Sequence, residues 1–233
     1  MSSKTFPSLE LELTLLNQST RFLIGVDEVG RGAIAGPVAV GVSLIDRDSG
    51  ATAQPWPAKL KDSKLISAAV RQAIEPECRT WLAGHAVGLA SAAEIDEQGI
   101  VAALALAAGR AIEELLDAPG LRPQIASDGC VVLLDGSHNW LAGKASGLKV
   151  VSRVKADRDC VSVAAASVIA KVHRDDLMIE LAMVHEGYGF EGHKGYASAG
   201  HIEAIRTLGP SPAHRKTWLT RILAGESAPA DEA

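Results

Sequence analysis

The chain has 233 residues, of which 47% are hydrophobic and 22% charged, a composition that excludes wholesale disorder and provides enough apolar mass for a substantial core. Aromatic residues make up only 4%, so the core must rely on small side chains and close approach of backbones. The formal net charge of −5, taken over the whole chain, argues against a nucleic-acid binder, because such proteins usually present a basic surface.

The cysteines and the apolar runs indicate the cellular compartment of the protein. Cys78, Cys130 and Cys160 lie far apart, without the paired spacing of a zinc site, which favours reduced thiols in a cytosolic compartment. The N-terminus carries acids where a secretory signal has a basic region, and the longest apolar run, 100–108, is about half of a bilayer span. We therefore expect a cytoplasmic protein without a membrane segment.

Hydrophobic patterns predict five strands and four helices, the last of them short, after a leading arm or short helix at 1–20. The strands are expected at 22–26, 38–45, 85–90, 131–134 and 150–154, and the helices at 67–82 (bent near Pro76), 94–116, 159–186 and 198–208. Three consecutive strands favour an antiparallel meander, and the later strand–helix–strand step favours parallel pairing. The order predicts an α/β domain with a mixed sheet flanked by helices, followed by a polar tail at 223–233 that we expect to be disordered.

Acidic residues follow three of the predicted strands. Asp27 and Glu28 come directly after the first strand, Asp135 follows the fourth, and Asp157 follows the fifth. Carboxylates gathered at one sheet edge repel one another unless cations neutralise them, and their oxygens suit Mg²⁺ or Mn²⁺. Two such ions about 4 Å apart could activate a water and stabilise the leaving oxygen of a phosphodiester. A single aspartate after a strand is more often a turn or helix-cap residue, and only the adjacent pair Asp27 and Glu28 favours the two interpretations equally.

A glycine-rich turn lies immediately after the first acidic pair, at Gly30, Arg31 and Gly32. Glycines allow close approach of a ligand, and consecutive amide groups can hold an anionic oxygen. A plain turn between two strands would explain the same residues. Its place beside Asp27 and Glu28 favours a role in contacting a phosphate or a sugar.

Six segments together resemble one known family. They read, in chain order, GVDEVGRGAIAGPVAVGVSLI (25–45), LKDSKLIS (60–67), LLDG (133–136), KADRDCVSVAAASVIAKVHRD (155–175), HKGYASAGH (193–201) and GPSPAHRKTW (209–218). Their order and content closely resemble prokaryotic type 2 ribonuclease H, also called ribonuclease HII. The resemblance spans 21–218, nearly the whole chain.

The resemblance implies a fold and a catalytic set. The fold would be RNase H-like, a single domain over 21–222 with a mixed five-stranded sheet and a C-terminal helical extension. The catalytic and metal-binding carboxylates would be Asp27, Glu28, Asp135 and Asp157, holding two divalent ions, Mg²⁺ or Mn²⁺. Asp159 competes for the fourth place, but alignment without gaps favours Asp157 and leaves Asp159 as a helix N-cap or first-turn acid.

The resemblance also implies the substrate. Family members hydrolyse the RNA strand of RNA–DNA hybrids and cut 5′ to single ribonucleotides embedded in duplex DNA, leaving 3′-hydroxyl and 5′-phosphate ends, in primer and ribonucleotide removal. Such enzymes must detect a 2′-hydroxyl. The family does so with its GRG backbone and a tyrosine, which correspond here to Gly30, Arg31, Gly32 and Tyr196.

Further substrate contacts are expected from Lys64, Lys171 and Ser198, the last in a motif that departs from the family's more common threonine. The remaining basic residues of the two C-terminal motifs are expected to be solvated charges rather than contacts: His173, Arg174, His214, Arg215 and Lys216. In the 159–186 helix, Ser162, Ala165, Ala166 and Ile169 follow helical spacing and are expected to pack against the sheet.

Two alternatives stay open at this point. A type 3 ribonuclease H would cut only hybrids, and it normally has a longer N-terminal region than this chain. A silent nucleic-acid-binding protein on the same fold would bind without cutting. We expect a monomer with no obvious protein partner, whose nucleic-acid partners bind through one groove, so that local rather than total charge matters.

Overall fold

The computed structural model describes residues 6–49, 51–141, 143–145 and 147–223. The strands are β1 Phe22–Val29, β2 Val38–Asp46, β3 Gly84–Ala90, β4 Cys130–Asp135 and β5 Lys149–Arg153. The helices are α1 Glu10–Leu15, α2 Ala68–Trp81, α3 Ala92–Gln98, α4 Ile100–Leu116, α5 Leu121–Asp128, α6 Ala156–Asp159, α7 Val161–Val184, α8 Phe190–His193, α9 Ala199–Leu208 and α10 Lys216–Leu223. Of the predicted tail, residues 224–233 lie outside the described residues, as do 1–5 of the predicted arm.

The strands form a single five-stranded sheet in the order β3-β2-β1-β4-β5. β1 pairs antiparallel with β2, and β2 pairs antiparallel with β3. β4 pairs parallel with β1, and β5 pairs parallel with β4. The predicted mixed sheet, a meander extended by parallel strands, is therefore confirmed.

Helices α4 and α7 cover opposite faces of the sheet, and small residues let them approach it closely. A Cβ atom at Gly25 of β1 would lie 2.8 Å from Ser162, and one at Gly41 of β2 would lie 2.4 Å from the Ala166 carbonyl oxygen. The four residues predicted to face the sheet, Ser162, Ala165, Ala166 and Ile169, are fully buried. Close backbone packing thus explains how a chain poor in aromatics builds its core.

The first strand is longer than predicted. β1 continues through Val29, and Asp27 and Glu28 are paired opposite Gly41 and Val40 of β2. The expectation that these acids follow the strand is wrong, because pairing to β2 holds their backbone extended beyond the apolar run. The acids therefore stand on a rigid strand rather than on a loop.

Two predicted helices are each divided in two. The predicted 94–116 helix breaks at Gly99, whose φ of 80° ends α3 and begins α4. The predicted 159–186 helix breaks at Cys160, which has extended backbone between α6 and α7. The expected arm at 1–20 contains α1, and its buried Glu12 accepts hydrogen bonds from the Ser162 amide and hydroxyl, both at 2.9 Å, at the start of α7.

The C-terminal helices build a separate apolar cluster against the loop that joins β1 and β2. Ile34 and Ala35 of that loop pack with Tyr188, Phe190 and residues of α9 and α10. Helices α8 and α10 of this cluster, and α5 elsewhere in the chain, were not predicted from the sequence, and Leu223, assigned to the tail, ends α10. Across the described residues, no helix combines the length and apolarity needed to cross a membrane.

Candidate active site

Two of the predicted acids meet because their strands are neighbours in parallel register. Val26 of β1 pairs with Leu134 of β4, and Asp27 and Asp135 each follow directly. Side chains alternate along a strand, so both aspartates continue the positions of Leu23 and Leu133, which pack in the core beside α7. The two carboxylates therefore project from adjacent strands at the same edge and on the same face.

Asp157 joins them through α6, which follows β5. The Ala156 amide donates a hydrogen bond of 2.7 Å to the Asp135 carboxylate, which fixes the beginning of this short helix beside β4. Asp159 takes another direction: its carboxylate lies 2.7 Å from the Arg153 guanidinium. It is a first-turn acid of α6 but caps no helix, since the residue that precedes α7 is Cys160.

The four carboxylates, which we call the carboxylate edge, are Asp27, Glu28, Asp135 and Asp157. Burial raises the pKa of Asp27 well above its ordinary value, and the charge of Glu28 adds to the increase. Burial and the Asp135 charge raise the pKa of Glu28, and burial also raises the pKa of Asp135. The pKa of Asp157 is raised to about 6 by burial and by Asp135. The raised pKa values show that burial and mutual repulsion outweigh the stabilising contacts of these acids.

Lys64 supplies positive charge close to these acids. Asp62 is buried and accepts a hydrogen bond of 2.9 Å from the Lys64 amide, which starts the 3₁₀ turn Ser63–Leu65. The Ser63 and Ser167 hydroxyls, 2.8 Å apart, tie that turn to α7. Burial lowers the pKa of Lys64, but the surrounding carboxylates, Asp27 first among them, outweigh it and raise the pKa. The predicted lysine is thus a charged neighbour of the carboxylate edge.

The chemistry of the carboxylate edge fits divalent cations. Asp27 Oδ2 and Glu28 Oε2 are buried and accept no hydrogen bond. Ionised carboxylate oxygens are acceptors only, and a hard cation satisfies them where no donor is present. As the side chains stand, no three His, Cys, Asp or Glu residues within the described parts of the chain are arranged as a metal site. The residues fit the ion by their chemistry, and the structure shows no coordination geometry.

The GRG turn is held from beneath by a buried arginine. The Arg215 guanidinium donates to the carbonyls of Gly30 and Arg31, both at 2.7 Å, and to that of Gly36 at 3.2 Å. Gly30 has a φ of 82°, and a Cβ there would lie 2.1 Å from Arg174 Nε. Glycine is therefore required at position 30 both by its backbone angle and by space.

A second buried arginine joins the loop that follows this turn to the Tyr196 segment. Arg174 donates to the carbonyls of Ala35 at 3.2 Å, Pro37 at 2.8 Å and Lys194 at 2.9 Å. Its guanidinium carbon lies 5.7 Å from the centre of the Tyr196 ring, which is 40% exposed. Arg174 thus contacts both elements predicted to bind the sugar, Gly30 of the GRG turn and the ring of Tyr196.

Arg174, His214 and Arg215 are fully buried, so the expectation that they are solvated charges is wrong. His173 and Lys216 are exposed, as expected. The two arginines lie among residues of three segments, 30–37, 174–196 and 211–215. Each guanidinium donates its hydrogen bonds to backbone carbonyls rather than to a carboxylate. The sequence does not predict this arrangement. Every residue has a backbone carbonyl, so acceptors of this kind leave no pattern of residue types.

The other predicted contacts already have partners within the chain. The Lys171 ammonium lies 2.5 Å from the Asp175 carboxylate, one turn further along α7. The Ser198 hydroxyl accepts a hydrogen bond of 3.2 Å from the His201 amide and caps α9. Arg31 extends outward, with its guanidinium 3.8 Å from Glu28. Their roles towards a substrate stay predictions.

Comparison with known proteins gives a consistent answer. The sequence profile described as Ribonuclease HII matches residues 24–221. A protein from Streptomyces avermitilis named Ribonuclease HII is 44% identical over 198 residues, covering 85% of this chain and 77% of its own length. The crystal structure of ribonuclease H2 from Pyrococcus horikoshii OT3 has a TM-score of 0.64 at 27% identity, covering 84% of this chain and 93% of that one.

A further solved structure is that of Bst-RNase HIII in complex with Mn²⁺. It has a TM-score of 0.65 at 23% identity and covers 89% of this chain and 71% of that one, a likeness of fold alone. These neighbours confirm the predicted RNase H-like fold. The chain belongs to the ribonuclease HII family and is a metal-dependent ribonuclease H hydrolase.

Proposed function

We propose that this ribonuclease H cuts 5′ to single ribonucleotides embedded in duplex DNA and also hydrolyses the RNA strand of RNA–DNA hybrids. The observation that carries the proposal is the position of Arg174, which packs against Gly30 of the GRG turn and lies over the Tyr196 ring. It also holds the carbonyls of Ala35 and Lys194, while Arg31 of the GRG turn lies 3.8 Å from Glu28 of the carboxylate edge. Such a unit suits detection of one sugar at a fixed distance from the bond that is cut. The products would be 3′-hydroxyl and 5′-phosphate ends, and the place of action would be the cytoplasm.

Asp27, Glu28, Asp135 and Asp157 would hold the cations. Two bound divalent ions, Mg²⁺ or Mn²⁺, would supply the positive charge that stabilises the attacking and leaving oxygens of the phosphodiester. The chain's own part is to keep Asp27 and Asp135 on adjacent rigid strands and to hold Asp157 beside them through the Asp135–Ala156 hydrogen bond. Lys64 would bind a neighbouring phosphate from the 3₁₀ turn.

The GRG turn would contact the 2′-hydroxyl through its amide groups. The Gly30 and Arg31 carbonyls already accept hydrogen bonds from Arg215, so these atoms support the loop rather than the ligand. Tyr196 presents an exposed ring that could stack on the sugar. Together, Gly30, Arg31, Gly32 and Tyr196 would distinguish a ribose from a deoxyribose.

The remaining contacts would be with phosphates. Ser198 retains a hydroxyl that can donate to a phosphate while its oxygen caps α9. Lys171 could bind a phosphate only by exchanging its contact with Asp175. We propose that the enzyme acts as a monomer, and no protein partner is needed for the chemistry.

The test compares three duplexes of identical sequence: one with a single ribonucleotide, one with a uniform RNA strand, and one of DNA only. With Mg²⁺ or Mn²⁺, the protein should cut the first two, leave the third intact, and cut the first on the 5′ side of the ribonucleotide. Product ends are identified by ligation and phosphatase treatment. Cutting of the uniform hybrid alone would contradict the proposal in favour of a type 3 activity. Binding without cleavage under either metal would contradict it in favour of a silent binder.

A further inference from the structure

Two buried histidines lie behind Tyr196, and the proposed chemistry does not use them. His201 of α9 and His214 of the 209–215 segment are both essentially inaccessible to solvent. Their Nε2 atoms lie 3.1 Å apart, within hydrogen-bond distance. The other ring nitrogens are also engaged, so the pair forms part of a chain of hydrogen bonds.

The direction of this chain is determined by its first donor. The Ser211 amide can only donate, and it donates to His214 Nδ1 at 2.9 Å. In a neutral ring, the proton of His214 must then lie on Nε2, from which it is donated to His201 Nε2. His201 consequently carries its proton on Nδ1 and donates it to the Tyr196 carbonyl at 2.8 Å. We call this sequence of bonds the histidine relay.

The surroundings keep the relay in place. His193 stacks on His201 with ring centres 4.1 Å apart. The rings of His201 and Phe190 are nearly perpendicular, with centres 5.4 Å apart. His193 accepts from the Gly195 amide at 3.1 Å, which leaves its Nε2 to donate to the Tyr188 carbonyl at 2.8 Å. Burial lowers the pKa of both His201 and His214 to about 4, so both rings are neutral near pH 7.

The relay and the GRG support begin at neighbouring residues. His214 leads through His201 to the Tyr196 carbonyl, while Arg215 holds the Gly30 and Arg31 carbonyls. One short segment therefore sets the positions of both elements that would contact the sugar. A change in the relay would shift Tyr196 relative to the GRG turn without touching the carboxylate edge.

We propose that His201 and His214 are positioning residues for ribose recognition, acting through the Tyr196 backbone. This inference rests on the proposed function, since it assigns to Tyr196 a contact with the sugar. Its consequence is specific: loss of the bond to the Tyr196 carbonyl should lower kcat/KM for a duplex with an embedded ribonucleotide. The metal-binding carboxylates should be unaffected.

Two substitutions at one position separate this role from simple packing. An asparagine amide can place its NH₂ group near the position of Nδ1, whereas a glutamine amide reaches the position of Nε2. His201→Asn should keep the donor to Tyr196, and His201→Gln should lose it. The assay measures kcat and KM on the single-ribonucleotide duplex, with thermal melting of each variant. We expect a loss of kcat/KM of about tenfold for His201→Gln and less than about threefold for His201→Asn.

A double-mutant cycle with Tyr196→Ala completes the test. In that background His201→Gln should have little further effect, because the group it positions has already been removed. His138→Gln, a change at an exposed histidine, serves as the control and should leave cleavage unchanged. Equal losses in the Asn and Gln variants, or additive losses with Tyr196→Ala, would overturn the inference. If the wild-type protein fails to cut this duplex, the proposed function fails first, and the inference with it.

Discussion

The carboxylate edge and the histidine relay are both buried and polar, but they differ in how their polar atoms are satisfied. At the carboxylate edge, like charges lie together, burial raises every pKa, and Asp27 Oδ2 and Glu28 Oε2 accept no hydrogen bond. Along the relay, each ring nitrogen of His201 and His214 has a partner, and both rings are neutral. The first region is built to receive positive charge, and the second is already complete.

The largest expected effect comes from neutralising the carboxylate edge. Asp27→Asn and Asp135→Asn should each lower cleavage of a single-ribonucleotide duplex by about 100-fold or more, since several kcal/mol of charge stabilisation depend on cation binding. Both variants should melt at or above the wild-type temperature, because repulsion among the remaining carboxylates is reduced.

Asp159→Asn is the matched control for these variants. This carboxylate lies two residues from Asp157 but pairs with the exposed Arg153, so its loss should change cleavage by less than about threefold. A loss at Asp159 as large as that at Asp27 would contradict the assignment of the fourth carboxylate.

A smaller effect is expected on stability at two glycines of similar φ, only one of which has a close neighbour where a Cβ would be added. Gly30 and Gly99 have φ values of 82° and 80°, but a Cβ at Gly30 would lie 2.1 Å from Arg174 Nε, whereas one at Gly99 meets nothing within 4 Å. Gly99→Ala should lower the free energy of unfolding by about 1–3 kcal/mol, because φ 80° with ψ 160° is open essentially to glycine alone, and Gly30→Ala should cost about 1–3 kcal/mol more because its Cβ would also meet Arg174. Chemical denaturation measures both, and equal costs would show that Arg174 does not fix the turn.

The smallest effect concerns pH and the neutral histidines. Their pKa of about 4 in the folded protein lies below the ordinary 6.5, so the unfolded chain binds protons first as the pH falls. Their contribution to stability is present above pH 6.5 and is lost as the pH falls towards 4. His201→Asn should therefore lose less stability than the wild type between pH 7 and pH 5, by roughly 1–2 kcal/mol.

This comparison isolates the histidine because the carboxylate edge is common to both proteins. Its raised pKa values act in the opposite direction, stabilising the folded protein as the pH falls. Denaturation curves at the two pH values provide the measurement. Identical pH dependence in the two proteins would show that His201 is not held neutral by the fold.

The sequence predicts the carboxylate edge far better than the support behind Tyr196. Asp27 and Asp135 come directly after apolar runs, and parallel neighbours bring such residues together, so their meeting follows from local patterns. Arg174, His214 and Arg215 owe their burial to three distant segments, and their acceptors are backbone carbonyls that no residue pattern reveals. The break at Gly99 was missed because helical spacing continues on both sides of it.

Cation-dependent stabilisation tests the central claim most directly, because it needs no substrate. Thermal melting of the wild-type protein and of Asp27→Asn is measured with Mn²⁺ and with EDTA. Mn²⁺ should stabilise the wild type, by about 2.7 kcal/mol at one hundred times Kd, and should have little effect on Asp27→Asn. Equal shifts in the two proteins, or none in the wild type, would contradict the view that the carboxylate edge is built to hold divalent cations.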